Sequence, residues 1–179
     1  KLPSPAEWVT VRKIRVKDAV NCLWWLSKTP NPKANNQRVL KEYSPDMKRL
    51  VKRGYRATVR PSGHVITPKF KDRGGSIPPN LLIYGNNDSN GHYLEQCKKH
   101  GLKPHPARFP VQLPTFFLRV LTDPDDLVLD PFAGSNTTGE ACEREGRRWI
   151  AVETEERYLE ASRFRFAGDL QALPDLYES

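Results

Sequence analysis

The rhythm of apolar and polar positions changes along the chain. Trp8–Val16 alternates, with one break at Arg12-Lys13, and this pattern predicts a half-exposed strand. Ala19–Leu26 is a nearly continuous apolar run and predicts a buried strand, which Pro30, Pro32 and the Asn35-Asn36 pair bring to an end. Residues 30–80 then lose periodicity. Pro and Gly recur throughout, and only Ser44–Arg53 has the marks of a helix, with Ser44 as N-cap, Pro45 in the first position and Gly54 past the end. The rest of this stretch is expected to be loop. Regular patterning returns afterwards. Leu81–Tyr84 predicts a short strand, Gly91–His100 a helix closed by Gly101, and Leu113–Leu121 a helix after Pro110. Leu127–Asp130 predicts a strand, about Thr138–Glu145 a helix, Trp149–Glu153 a strand and Glu155–Phe166 a helix. Strands alternating with helices across tight turns predict an α/β fold with a parallel, Rossmann-like sheet.

Charge adds the first functional signal. Residues 1–72 hold 17 Lys and Arg against 5 Asp and Glu, a net +12; residues 73–179 hold 12 against 16, a net −4. The whole excess of +8 lies in the first two fifths of the chain. A basic, loop-rich region makes a poor core and a suitable nucleic-acid surface. Lys33, Arg38, Arg49, Arg53, Arg56 and Lys69 are its candidate DNA contacts. A solvated charged face with no partner is the competing interpretation. No run approaches ~18 consecutive apolar residues, which excludes a hydrophobic transmembrane helix. The first residues carry no signal-peptide hydrophobic region. Cys22, Cys97 and Cys142 are odd in number and widely spaced, so neither a disulfide framework nor a metal site is expected. These features together predict a cytoplasmic protein.

The richest chemistry lies in Leu127-Val-Leu-Asp-Pro-Phe-Ala-Gly-Ser-Asn-Thr-Thr-Gly139. A strand there delivers Asp130 to the carboxyl edge of the sheet, where ligands of open α/β folds bind. Gly134 permits a tight turn, and Asn136 or Thr137 can cap the next helix, whose free N–H groups carry partial positive charge. Glu153 follows Gly134 by 19 residues at the end of the next strand. Rossmann folds place a ribose-binding acid ~20 residues after the glycine loop. The loop is neither G-x-G-x-x-G nor a P-loop, so a ligand with a ribose and no pyrophosphate fits better, and S-adenosyl-L-methionine is one. Strand-end caps in an ordinary α/β domain are the alternative.

Asp130-Pro-Phe-Ala-Gly-Ser-Asn-Thr-Thr138 resembles the S-adenosylmethionine (AdoMet) loop of amino-group DNA methyltransferases in their permuted, β-type motif order. With Arg147–Glu153 and Tyr158–Phe166 it is most similar to the cytosine-N4 enzymes of bacterial restriction–modification systems. His105-Pro-Ala-Arg-Phe-Pro110 resembles that family's His-Pro-x-x-x-Pro motif, and Ala19–Asn36 its strand and loop leading into the target-recognition region. The resemblance implies a partial, permuted methyltransferase fold with a basic target-recognition insert. Residues 1–29 would supply strands of the sheet, 30–90 the recognition region and 91–179 the AdoMet-binding portion. It also implies that Asp130, Phe132, Ala133, Gly134 and Ser135 line the cofactor site, with Glu153 on the ribose and His105, Arg108 and Pro110 at the methionine end. Arg108 and Phe109 stand where many relatives carry Gln-Lys.

The family also requires a [Ser/Asp/Asn]-Pro-Pro-[Tyr/Phe] tetrapeptide. The exocyclic amine of a base is a poor nucleophile, because its lone pair is delocalised into the ring. The tetrapeptide accepts that amine's N–H bonds and stacks on the flipped base. Ser76-Ile-Pro-Pro-Asn80 does not match it, so no catalytic residue is assigned. In the permuted order the tetrapeptide precedes Lys1. The chain is therefore expected to be the C-terminal portion of a longer enzyme acting on duplex DNA, its catalytic portion lying on the same polypeptide or on a second chain. Cytosine-N4 against adenine-N6 transfer, a non-catalytic DNA-binding module with a vestigial AdoMet site, and an RNA or small-molecule methyltransferase all stay open at this point.

Overall fold

Two short parallel strands carry the candidate site. In the computed structural model, β3 (Leu127–Asp130) pairs in parallel with β4 (Arg148–Ala151), Leu127 opposite Arg148 and Asp130 opposite Ala151. The structure describes residues 7–17, 20–54, 58–59, 61–63, 65–66, 71–85 and 91–166. It divides into two units, residues 1–32 and 33–179, and the second contains β3 and β4.

The second unit begins with a 3-10 turn (Asn36–Val39) and α1 (Pro45–Arg53), after which β1 (Thr58–Val59) and β2 (Val65–Ile66) form an antiparallel pair. Then come α2 (His92–Lys99), α3 (Gln112–Leu121), β3, α4 (Thr137–Arg144), β4 and α5 (Glu156–Ser162), which runs into a 3-10 turn, Arg163–Arg165. The strand–helix–strand crossover β3–α4–β4 is the α/β unit that the patterning predicts, in a Rossmann-like fold.

Period-two alternation sends the side chains of β3 and β4 to opposite faces. Val128 and Trp149 pack on a core of Leu118, Ala141 and Cys142, which joins both strands to α3 and α4. Burial pushes the Cys142 thiol up to about 11. On the other face Leu127, Leu129 and Ile150 are exposed. A second core, Tyr93, Cys97, Ala161 and Phe164, joins α2 to α5 and the turn after it.

Helices were the more legible elements. Ser44 caps α1 by accepting the Met47 N–H at 3.2 Å, with Pro45 first in the helix and Gly54 (φ +80°) at its end. The helices α2 and α5 fall within the expected ranges, α3 and α4 each begin one residue earlier than expected, and α5 tightens to 3-10 geometry after Ser162.

Three expected strands are not formed. Trp8–Val16 opens instead with a π-helical turn, Glu7–Val11, and Lys13 takes a left-handed φ of +56°. Residues 20–26 form no regular element; Trp24 is 87 % exposed and Leu26 86 %. Ala19 lies outside the described residues. Leu81–Tyr84 likewise forms no strand. An apolar run becomes a strand only when a neighbour takes up its N–H and C=O groups, and none among the described residues does so here. The opposite error occurs at β1 and β2, expected as loop. The Pro61-Ser-Gly63 turn, with Gly63 at φ +76°, closes a short hairpin between them.

Candidate cofactor site and basic surface

The loop after β3 is organised by two carboxylates. Asp130 accepts the Phe132 N–H at 3.0 Å with one oxygen and the Thr138 hydroxyl at 2.6 Å with the other, tying the strand end to the start of α4. Gly134, at φ +55°, donates its N–H to Glu153 at 2.8 Å. The second Glu153 oxygen accepts the Glu155 N–H at 2.9 Å. The N–H groups of Glu155 and then of Gly134 hold the Glu153 carboxyl below its ordinary value. Asn136 adopts the left-handed conformation (φ +59°) and caps α4 by accepting the Gly139 N–H at 3.0 Å. A Cβ at Gly139 would press into the capping amide of Asn136, so the cap requires glycine there.

A second wall comes from residues 105–110. The His105 ring lies against Gly134, 3.3 Å from where a Cβ would stand, and its edge meets Tyr158 at a centroid distance of 4.6 Å. His105 Nδ1 is 2.6 Å from the Ala107 carbonyl oxygen. Arg108 folds back to donate to the His105 carbonyl, and its Nε is buried with no hydrogen-bond partner among the described residues. The Pro110 carbonyl accepts the Leu113 N–H at 3.1 Å and starts α3.

Asp130, Gly134, Glu153 and His105 are therefore brought together around one turn. Phe132 stands beside it, 89 % exposed, and Ala133 is fixed by its N–H to the Val152 carbonyl at 2.9 Å. Ser135 is placed differently from a lining residue. It is only 3 % exposed, and Arg165 donates to its hydroxyl at 2.8 Å and to its carbonyl at 2.5 Å from behind the loop. Three residues around the turn were not among the expected site residues: Tyr158 and Arg165, which lie in the Tyr158–Phe166 segment, and Tyr93, whose hydroxyl oxygen accepts the His105 N–H at 3.3 Å. Their contacts arise from pairings far apart in sequence.

The donor set fits a ribose-bearing ligand. A carboxylate offers about four acceptor positions, and the two hydrogen bonds to Glu153 leave room for hydroxyl donors. The glycine turn admits close approach, the start of α4 carries partial positive charge, and Phe132 offers an apolar face.

The basic residues separate into two groups. Lys33 bridges Asp123 and Asp126, at 2.7 Å to each, and Arg38 donates to Asp123 and to the Thr122 carbonyl. Hydrogen bonds from Lys33 hold both carboxyls below their ordinary values, and the Lys33 ammonium is raised in return. Both cations clamp the 33–39 segment onto the end of α3, so their charge is already answered inside the chain. Arg49 pairs with Asp46 one turn earlier on α1 and stays exposed, as does Arg53. Lys48, Arg49, Lys52 and Arg53 share one side of α1. Arg56 and Lys69 lie outside the described residues.

Lys41 and Ser76 pair as an isolated antiparallel bridge, with N–H···O distances of 2.9 and 2.8 Å. The bridge closes the basic excursion at its base. Gly75 sits against it: a Cβ there would come within 2.6 Å of the Lys41 carbonyl oxygen and 2.8 Å of Leu40 Cβ.

A β–loop–α–β crossover with an acid pinned to its glycine turn defines a Rossmann-like protein with a site suited to a ribose-bearing ligand. The chain belongs to the DNA methylase family: the model of that family matches residues 3–164. It is 59 % identical over 170 residues to the type II methyltransferase M.PvuII of Proteus hauseri, covering 93 % of this chain and 51 % of that protein. It is 43 % identical over 70 residues to the type II methyltransferase M.BglI of Bacillus subtilis, covering 39 % of this chain and 20 % of that one. The solved structure of PvuII DNA methyltransferase (cytosine-N4-specific) superposes with a TM-score of 0.69 at 47 % identity, over 98 % of this chain and 50 % of that one. The chain thus spans about half the length of M.PvuII.

Proposed function

We propose that this chain is the cofactor-binding and DNA-recognition portion of a methyltransferase. The enzyme would move a methyl group from S-adenosyl-L-methionine to the exocyclic N4 of cytosine in duplex DNA. The observation that carries the reading is the Glu153 carboxylate held against the Gly134 turn, within a chain 59 % identical to M.PvuII. The cytosine-N4 assignment is supported by the activity named for the solved relative. AdoMet supplies an electrophilic methyl on a sulfonium. In this chain Glu153 would accept the ribose hydroxyls, while Phe132 would flank the adenine and the 105–110 segment the methionine end. The exposed side of α1 would meet phosphates.

Base flipping and activation of the amine would fall to a [Ser/Asp/Asn]-Pro-Pro-aromatic tetrapeptide outside these 179 residues, which contain none. That remaining portion would also cover the apolar face of β3 and β4. The setting would be the bacterial cytosol or nucleoid. Among the described residues no helix is long and apolar enough to cross a membrane.

The test is calorimetric titration of AdoMet into the complete enzyme. Glu153→Ala removes an acceptor of charge-assisted hydrogen bonds and should weaken binding by roughly 2–3 kcal/mol, about 30- to 150-fold. Unchanged affinity would place the ribose acid elsewhere.

A further inference from the structure

We propose that Arg165 and Tyr93 are positioning residues for the cofactor site, a cation–aromatic pair that holds its two walls in register. The inference rests on the AdoMet reading above. Arg165 lies in the 3-10 turn after α5, and its side chain is 11 % exposed. All three of its nitrogens are engaged: Nε with the Ser135 carbonyl at 2.5 Å, Nη2 with the Ser135 hydroxyl at 2.8 Å, and Nη1 with Glu140 at 2.6 Å. Glu140, in the first turn of α4, also accepts from Arg144 at 2.6 Å. One guanidinium therefore grips the loop and the helix that the loop enters.

The grip falls beside the turn at Asn136, the residue after Ser135, which takes the left-handed conformation while capping α4. The Arg165 guanidinium also stands 4.5 Å from the Tyr93 ring centroid. The hydroxyl of that ring accepts the His105 N–H at 3.3 Å. Ser135 belongs to one wall of the site and His105 to the other, and the Arg165–Tyr93 contact joins them from behind. The spacing between the Gly134 turn and the 105–110 segment is then set by this pair. Lysine cannot take over the task, since a single ammonium cannot reproduce the planar fork that meets Ser135 twice and Glu140 once.

The experiment compares the complete wild-type enzyme with Arg165→Met, Arg165→Lys and Tyr93→Phe, and with Arg119→Met as a control. Arg119 makes a two-point pair with Glu145, at 2.9 and 2.7 Å, between α3 and the end of α4 and away from the turn. Calorimetry gives the AdoMet Kd, steady-state kinetics separates KM for AdoMet from KM for DNA, and thermal melting without AdoMet reports stability. Arg165→Met should raise the AdoMet Kd about tenfold or more, as removal of supporting partners does in other preorganised sites. Arg165→Lys should fall between it and wild type, and Tyr93→Phe should give a smaller rise; KM for DNA should stay unchanged. Arg119→Met should lower the melting temperature and leave the AdoMet Kd at the wild-type value. Should Arg165→Met fail to fold, the Lys and Phe variants carry the same comparison. A wild-type Kd in the Arg165 variants, or an equal rise with Arg119→Met, overturns the proposal. A wild-type enzyme that takes up no AdoMet overturns the cofactor reading along with it.

Discussion

Glu153 shows how a single carboxylate organises a turn. It accepts backbone N–H groups from the residue two ahead and from a glycine 19 behind, so it belongs to both ends of the site. Those donors depress its pKa from the ordinary 4.5. A depressed acid contributes stability in full above the unfolded-state value and loses it as the pH falls through the folded-state value. The melting difference between wild type and Glu153→Gln should therefore be constant above pH 4.5 and should shrink as the pH is lowered further. A difference that persists undiminished at about pH 2 would mean that the charge on Glu153 does not hold the turn. Glu153 and Asp130 were readable in the sequence, because strand ends and a fixed spacing locate them. The inward turn of Ser135 was not, because Arg165, 30 residues away, sets it. The ion pairs of Lys33 and Arg38 were hidden for a similar reason: their partners Asp123 and Asp126 are remote in sequence, and a cation's partner is invisible to composition.

At the scale of elements, legibility follows where each element finds its hydrogen bonds. Helices satisfy their own backbones, so Ser44, Pro45 and Gly54 bounded α1 correctly. Strands depend on neighbours. Of the predicted strands, Leu127–Asp130 forms as expected and Trp149–Glu153 forms shifted, as Arg148–Ala151, ending two residues before Glu153; the two pair with each other, whereas 20–26 and 81–84 are in no strand. The Lys41–Ser76 bridge is an element that no local pattern announces, although Gly75 is its requirement. Gly75→Ala would press a methyl group into the Lys41 carbonyl and should cost about 1–3 kcal/mol, as overpacking does. Hydrogen exchange should show faster exchange at the Lys41 and Ser76 amides, with α4 unaffected. Wild-type protection at both amides would mean that the base of the excursion is held by other interactions.

For the whole molecule, the charge asymmetry and the open sheet face point to surfaces that work with something else. The +12 of residues 1–72 is only partly neutralised internally, since Lys33 and Arg38 are spent on Asp123 and Asp126 while the cations of α1 face outward. Charge reversal at Arg49 and Arg53 should weaken DNA binding by the complete enzyme. It should also lower the slope of log K against log salt by about 2, near 0.9 for each phosphate that is no longer neutralised. A wild-type slope would take α1 off the DNA.

The identity of the methylated atom decides the function. The complete enzyme would be incubated with AdoMet and mixed-sequence duplex DNA, the DNA digested to nucleosides, and the products separated by mass spectrometry. N4-methyldeoxycytidine is expected from the complete enzyme and none from these 179 residues alone. N6-methyldeoxyadenosine as the product, or methyl transfer by this chain without the tetrapeptide, would contradict the claim.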